Sequence, residues 1–171
     1  HGTSFLIYPV EKNKGYSLQD VQIISETPNG STLIYKGETF KIPLPGRFNI
    51  SNTLAALTLA TELSIPLNIA AKGIASLSTI RGRVEKIEVG QNFTVIVDYA
   101  HTDDSLRKLY QTFTSSRKIA VLGSTGGGRD AWKRPVLGAI ADDHCDEIIV
   151  TNEDPYDEEP MKIINEVASG V

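Results

Sequence analysis

The sequence predicts an α/β chain in two parts, antiparallel strands plus helices followed by a partial, Rossmann-like parallel αβ unit. Three observations carry this. Short β-branched runs separated by Gly-containing turns fill the first quarter. Apolar runs alternate with helical stretches after residue 92. The charge also divides, with 9 basic and 6 acidic residues in 1–86 against 8 and 15 in 87–171, as two units with different surroundings would show.

Taken in order, Ser4 to Tyr8 and Asp20 to Ser25 read as strands. Pro28-Asn29-Gly30 is a turn, because Asn-Gly tolerates positive φ. Thr32 to Tyr35 and Thr39 to Ile42 follow around a turn at Gly37, completing an antiparallel meander. Leu54, Ala55, Leu57, Ala60 and Leu63 then recur at helical spacing, with Ser51 or Asn52 as the expected cap and Pro66 as the stop. Ile69, Ala70, Gly73, Ile74 and Leu77 mark a second helix. Arg81-Gly82-Arg83 leads into a connecting segment, Val84 to Val89, and a boundary is expected at 86–92, between units 1–86 and 90–171.

The second unit reads as strand Phe93–Asp98, helix Asp103–Thr114, strand Lys118–Gly123, helix Arg134–Asp143, strand Glu147–Thr151 and helix Glu159–Ala168. Strands alternating with helices of this length imply parallel βαβ units. Thr102 or Asp103 suits the first cap. The chain stops where a fourth strand is due, so a piece of a larger enzyme is expected.

Composition excludes several classes. With 40% hydrophobic and 22% charged residues the chain is globular, and a net charge of −4 argues against a nucleic-acid surface. The single cysteine, Cys145, makes no internal disulfide and reads as structural. No apolar run approaches the roughly 20 residues that span a bilayer. A cytoplasmic protein, monomeric and away from membranes, is expected.

The residues suited to chemistry fall in loops and strand ends. Asp98 closes the central apolar run, where a carboxylate either accepts hydrogen bonds from a ribose diol or caps the following helix. His101 stands near phosphate or fills a turn. Asn49 and Asn52 lie three apart at a helix start, facing a base edge or capping. Arg81 and Arg83 flank Gly82 at the hinge, where arginines suit phosphate. Gly123 to Asp130 is a glycine-rich loop without Walker A or GxGxxG spacing, and Arg129, Lys133 and Arg134 give it positive charge suited to a carboxylate or phosphate. Nine acids crowd 142–159, Glu153 and Asp154 among them, as a solvated face or a site for a cationic amine.

Together these motifs resemble those of the Mur ligases. The resemblance rests on Leu44 to Ala56, Arg81-Gly82-Arg83-Val84-Glu85, Asp98-Tyr99-Ala100-His101-Thr102, and Gly127-Gly128-Arg129-Asp130 with Lys133-Arg134-Pro135. Their order is similar to the MurE type, which joins an amino acid to UDP-MurNAc-L-Ala-D-Glu. The resemblance implies the end of a central ATPase domain and the start of the Rossmann-like domain. It implies ATP and Mg2+, with a UDP-MurNAc-dipeptide and a free amino acid as substrates, and an acyl-phosphate intermediate. By position it implies adenine contacts at Asn49 and Asn52, nucleotide contacts at Arg81 and Arg83, the ribose ligand at Asp98, and His101 near the phosphates. Arg129 matches the arginine that holds the carboxylate of the incoming amino acid. Glu153, Asp154 and Tyr156 fall where diaminopimelate-specific members read DNPR; the tyrosine in place of arginine leaves lysine as the alternative amino acid. The family's P-loop, its upstream magnesium ligands and its modified lysine are not in these 171 residues, so this stretch alone is expected to be inactive. The alternatives are a stand-alone nucleotide- or anion-binding module and a ligase of the folylpolyglutamate synthase kind.

Overall fold

A computed structural model describes residues 15–171; the strand expected at Ser4–Tyr8 lies outside the described residues. After a turn of 3-10 helix capped by Ser17, the chain forms β1 (Val21–Thr27), β2 (Gly30–Tyr35) and β3 (Glu38–Ile42), antiparallel and in that order. The turns are those the glycines dictate. Gly30 has φ +129°, and a Cβ there would lie 2.3 Å from the carbonyl oxygen of Ile42. Lys36 and Gly37 both have positive φ, as a two-residue hairpin turn of matching twist requires.

Helix α1 spans Arg47–Glu62 and α2 Leu67–Ala75. Both cover the meander, where Leu33, Phe40 and Ile42 pack on Ile50, Leu54 and Leu57 of α1 and on Leu67, Ala70 and Ile74 of α2. The start of α1 differs from expectation. Its cap position is Gly46, at φ +94°, with no side-chain cap, so Ser51 and Asn52 lie inside the helix. The first turn is anchored instead by Asn49, whose Nδ2 donates to the carbonyl of Pro45 at 2.7 Å. Pro66 precedes α2 as its cap residue, Ser64 at φ +57° having already turned the chain.

The remainder is α/β, with one correction. The strand of the central apolar run, β5 (Val95–Val97), does not join a parallel sheet: it pairs antiparallel with β4 (Glu85–Ile87). The turn between them is closed by Gln91, whose side chain accepts from the Val89 amide and donates to the carbonyl of Ile87. Neither is it buried, for Val97 is 45% exposed. Three residues are too few for their alternation to declare which face is covered. The parallel pair is β6 (Ile119–Leu122) with β7 (Glu147–Val150), joined through α4 (Lys133–His144).

Helix α3 (Asp103–Thr112) begins at Thr102, which exchanges a reciprocal capping pair with Ser105. It packs on α4 through Leu106, Leu137 and Ile140. Helix α5 (Pro160–Ala168), capped by Glu159, packs on α4 at very short range. A Cβ on Gly138 would fall 2.1 Å from the carbonyl oxygen of Val167. The two halves touch where α1 begins, Gly46 lying against Thr112 of α3.

Candidate functional site

The sequence-predicted residues gather in three places. At the first turn of α1, Asn49 is buried and Asn52 exposed. Asn52 Nδ2 donates to Asn49 Oδ1 at 3.3 Å. Asn49 is thereby spent at both ends of its amide, while Asn52 keeps a free carbonyl oxygen and a second N–H for another partner.

The second place is the junction of the Gly82 turn with the end of β5. Asp98 accepts from the amides of Val84 and Ala100, each at 2.7 Å. The Tyr99 amide donates to the carbonyl of Gly82, and the Gly82 amide donates to Glu85. The segment 82–85 is thus sewn to 98–100, with Val84 held at φ +48°. The seam stacks three side chains: the Arg83 guanidinium stands 5.2 Å from the Tyr99 ring centre, and the Tyr99 and His101 rings are 4.9 Å apart. His101 Nδ1 also meets the carbonyl oxygen of Tyr99 at 3.0 Å. Arg83, Asp98 and His101 are therefore brought together, with Tyr99 as the spacer that sequence reasoning had left without a role. Arg81 lies exposed beside them.

The third place is at the carboxyl ends of β6 and β7, where an α/β sheet leaves room for a ligand. The glycine-rich loop lies directly on the acidic loop. The Gly126 amide donates to the carbonyl of Asp154, a Cβ on Gly126 would sit 2.2 Å from the carbonyl oxygen of Pro155, and a Cβ on Gly127 would sit 3.1 Å from the Tyr156 ring. Arg129, Glu153, Asp154 and Tyr156 are all exposed on these two loops. No hydrogen bond or ion pair among the described residues joins the three places.

Two expectations about charge are corrected here. Arg134 does not lend positive charge to the loop: its side chain is 1% exposed and paired with Glu158 and Glu166. These contacts hold the Glu158 carboxyl below the usual carboxylate range, the hydrogen bond from Arg134 being the main cause. The acidic run is likewise partly consumed by structure. Asp146 accepts from the Lys118 amide, Glu147 pairs with Arg117, Asp143 with Arg107, and Glu159 caps α5. A signal for Arg134 was present: a cation in the first turn of a helix opposes the dipole and calls for carboxylates. Cys145 is half-buried, and burial pushes its thiol up.

Residues 82–171 match the family described as Mur ligase, glutamate ligase domain. The chain belongs to the Mur ligase family. Its relatives include a UDP-N-acetylmuramyl-tripeptide synthetase of Roseiflexus sp. (strain RS-1), 46% identical over 133 residues, covering 76% of this chain and 26% of that protein. A UDP-N-acetylmuramoyl-L-alanyl-D-glutamate--2,6-diaminopimelate ligase of Bacillus licheniformis is 41% identical over 148 residues, covering 85% and 29%. Among solved structures, another ligase of that name superposes with a TM-score of 0.53 at 31% identity, over 89% of this chain and 33% of its own. This Mur ligase chain therefore spans about a quarter to a third of the length of these relatives. Among the described residues no group of three or more His, Cys, Asp and Glu side chains could hold a metal ion. No helix among them is long and apolar enough to cross a membrane.

Proposed function

We propose that the protein to which this chain belongs is a cytoplasmic, monomeric, ATP-dependent ligase that adds a diamino acid to UDP-MurNAc-L-Ala-D-Glu in peptidoglycan precursor synthesis. The observation that carries the reading is the 46% identity to a protein named for that tripeptide synthesis. In such a reaction ATP gives its γ-phosphoryl group to the terminal carboxylate of the nucleotide peptide, leaving ADP and an acyl phosphate. The neutral amine of the incoming amino acid attacks the acyl carbon. The tetrahedral adduct then expels inorganic phosphate, and the nitrogen gives up a proton as the amide forms.

The chain's residues supply binding and orientation. Asn52 offers an acceptor and a donor to the adenine edge, with Asn49 fixing its direction. Each oxygen of Asp98 already accepts one amide, and the remaining lone pairs face the ribose diol. The ring of Tyr99 supports the guanidinium of Arg83 and leaves its N–H edge for phosphate, with His101 alongside and Arg81 as a further cation. Arg129 holds the carboxylate of the amino acid. The carboxylates of Glu153 and Asp154 have no hydrogen-bond or ion-pair partner among the described residues and face the distal ammonium, with Tyr156 shaping the far end. Mg2+, held by residues elsewhere in the protein, would offset the charge of the phosphates.

Two measurements on the complete enzyme test this. Incubated with ATP and the nucleotide dipeptide, it is expected to release phosphate on addition of diaminopimelate or L-lysine; no release with either sinks the reading, and the preferred one decides what Tyr156 accommodates. Asp98→Ala is expected to raise the KM for ATP roughly ten- to hundredfold, the loss of one charge-assisted hydrogen bond. An unchanged KM removes Asp98 from the ribose site.

A further inference from the structure

The Arg134 guanidinium is the largest fully buried side chain of the molecule's described residues, and nothing in the proposed reaction requires it. Its contacts are specific. Nη1 donates to Glu158 Oε2 at 2.9 Å and to Glu166 Oε2 at 2.5 Å. Nη2 donates to Glu158 Oε1 at 3.0 Å and to the carbonyl of Thr125 at 3.3 Å. Glu158 is thus held by a two-pronged fork, the geometry that gives arginine its directional grip.

The two carboxylates then differ. Glu166 belongs to α5, and its carboxylate pairs with Arg134 and Lys162 rather than with a group of either site loop. Glu158 sits on the acidic loop, and its Oε1 accepts from the Gly128 amide at 3.4 Å. That amide immediately precedes Arg129. One guanidinium therefore fixes the glycine-rich loop twice, directly at Thr125 and through Glu158 at Gly128, and fixes the acidic loop at Glu158. Between these points Gly126 lies against Pro155 with no room for a Cβ, and Gly127, at φ +71°, lies close to the Tyr156 ring. The two loops are thereby tied to each other.

We propose that Arg134 and Glu158 are positioning residues that hold Arg129 at the set distance from Glu153, Asp154 and Tyr156. They act on amino-acid selection without touching the amino acid. This rests on the proposed function only in assigning that substrate to the two loops; the mechanical coupling stands on the contacts.

The comparison of Glu158→Gln with Glu166→Gln in the complete enzyme tests it, because both weaken the same guanidinium's pairing and only one lies on a site loop. Glu158→Gln is expected to raise the KM for the amino acid roughly tenfold, with the KM for ATP unchanged. Glu166→Gln is expected to lower Tm and leave both KM values alone. Equal KM shifts from the two variants, or an equal shift for ATP, would reduce the pair to a structural role. Amide exchange across 124–130 needs no turnover: it is expected to quicken in Glu158→Gln alone, and equal exchange in both variants refutes the coupling even if the protein proves not to be a ligase. If Glu158→Gln fails to fold, Glu158→Asp, one methylene too short to reach both partners, takes its place with the same expected split.

Discussion

In the half that runs from β1 to α2, the side chains with no exposure are Leu33, Phe40, Ile50, Leu54 and Leu57; in the half from β6 to α5, the largest such side chain is Arg134, beside Ile140, Ile163 and Val167. The first half closes over an apolar core that asks only for shape and area. The second adds to its apolar residues a buried ion-paired guanidinium and glycines that bring backbones into contact. Apolar burial is indifferent to direction, whereas a forked guanidinium fixes distances between loops. The loops proposed to select the amino acid lie on the half whose interior is directional.

The sharpest test of this contrast is Phe40→Ala, expected to cost about 3–5 kcal/mol in urea unfolding. Amide exchange should quicken across β1–β3 and much less across β6 and β7. Equal loss of protection in both halves would break the comparison, making the chain one cooperative unit.

Next is Gly138→Ala. The new methyl meets the backbone of α5 rather than a yielding side-chain tip, so α4 and α5 must part, at a cost of about 1–3 kcal/mol. A neutral effect on unfolding would show that the helices do not depend on that approach.

The smallest effect is the dependence on pH. Because Arg134 holds the folded Glu158 carboxyl below its ordinary value, its contribution is fully present above the unfolded value of about 4.3 and is lost as pH falls through the lower, folded one. Protection in α4 and α5 is expected to fall with acid sooner than protection in the meander. In Glu158→Gln that difference should shrink; an undiminished one would assign the acid sensitivity to other carboxylates.

Much of this was legible in the sequence. The meander followed from its short β-branched runs and the turns at Asn29-Gly30 and Gly37, and α3, α4 and α5 came within a residue or two of their expected starts. The start of α1 was not legible, because Gly46 turns the chain with no capping side chain to announce it. The partner of β5 was not legible either. An apolar run before an acid looks like a central parallel strand, and only the Gln91 turn sends it back on β4. Of the site, the seam of Arg83, Asp98 and His101 was foreseen as residues and not as a stack, since the Tyr99 ring reads in sequence as part of a strand end. Arg134 was misjudged because a basic residue next to glycines looks solvated until Glu158 and Glu166 are brought to it from 24 and 32 residues away.

The seam between 82–85 and 98–100 has one more consequence. The connection from Glu88 to Thr94 bulges outward, with Val89 83% and Phe93 65% exposed, while the β4–β5 ladder, the Asp98 contacts and the Gly82–Tyr99 bond hold its two ends together. The tip at Gly90-Gln91-Asn92 is thus an exposed turn between strand ends that are tied to each other by other contacts as well. A protease nick or an inserted sequence there is expected to leave Arg83 against Tyr99, because exposed tips between secured strands are where such changes are tolerated.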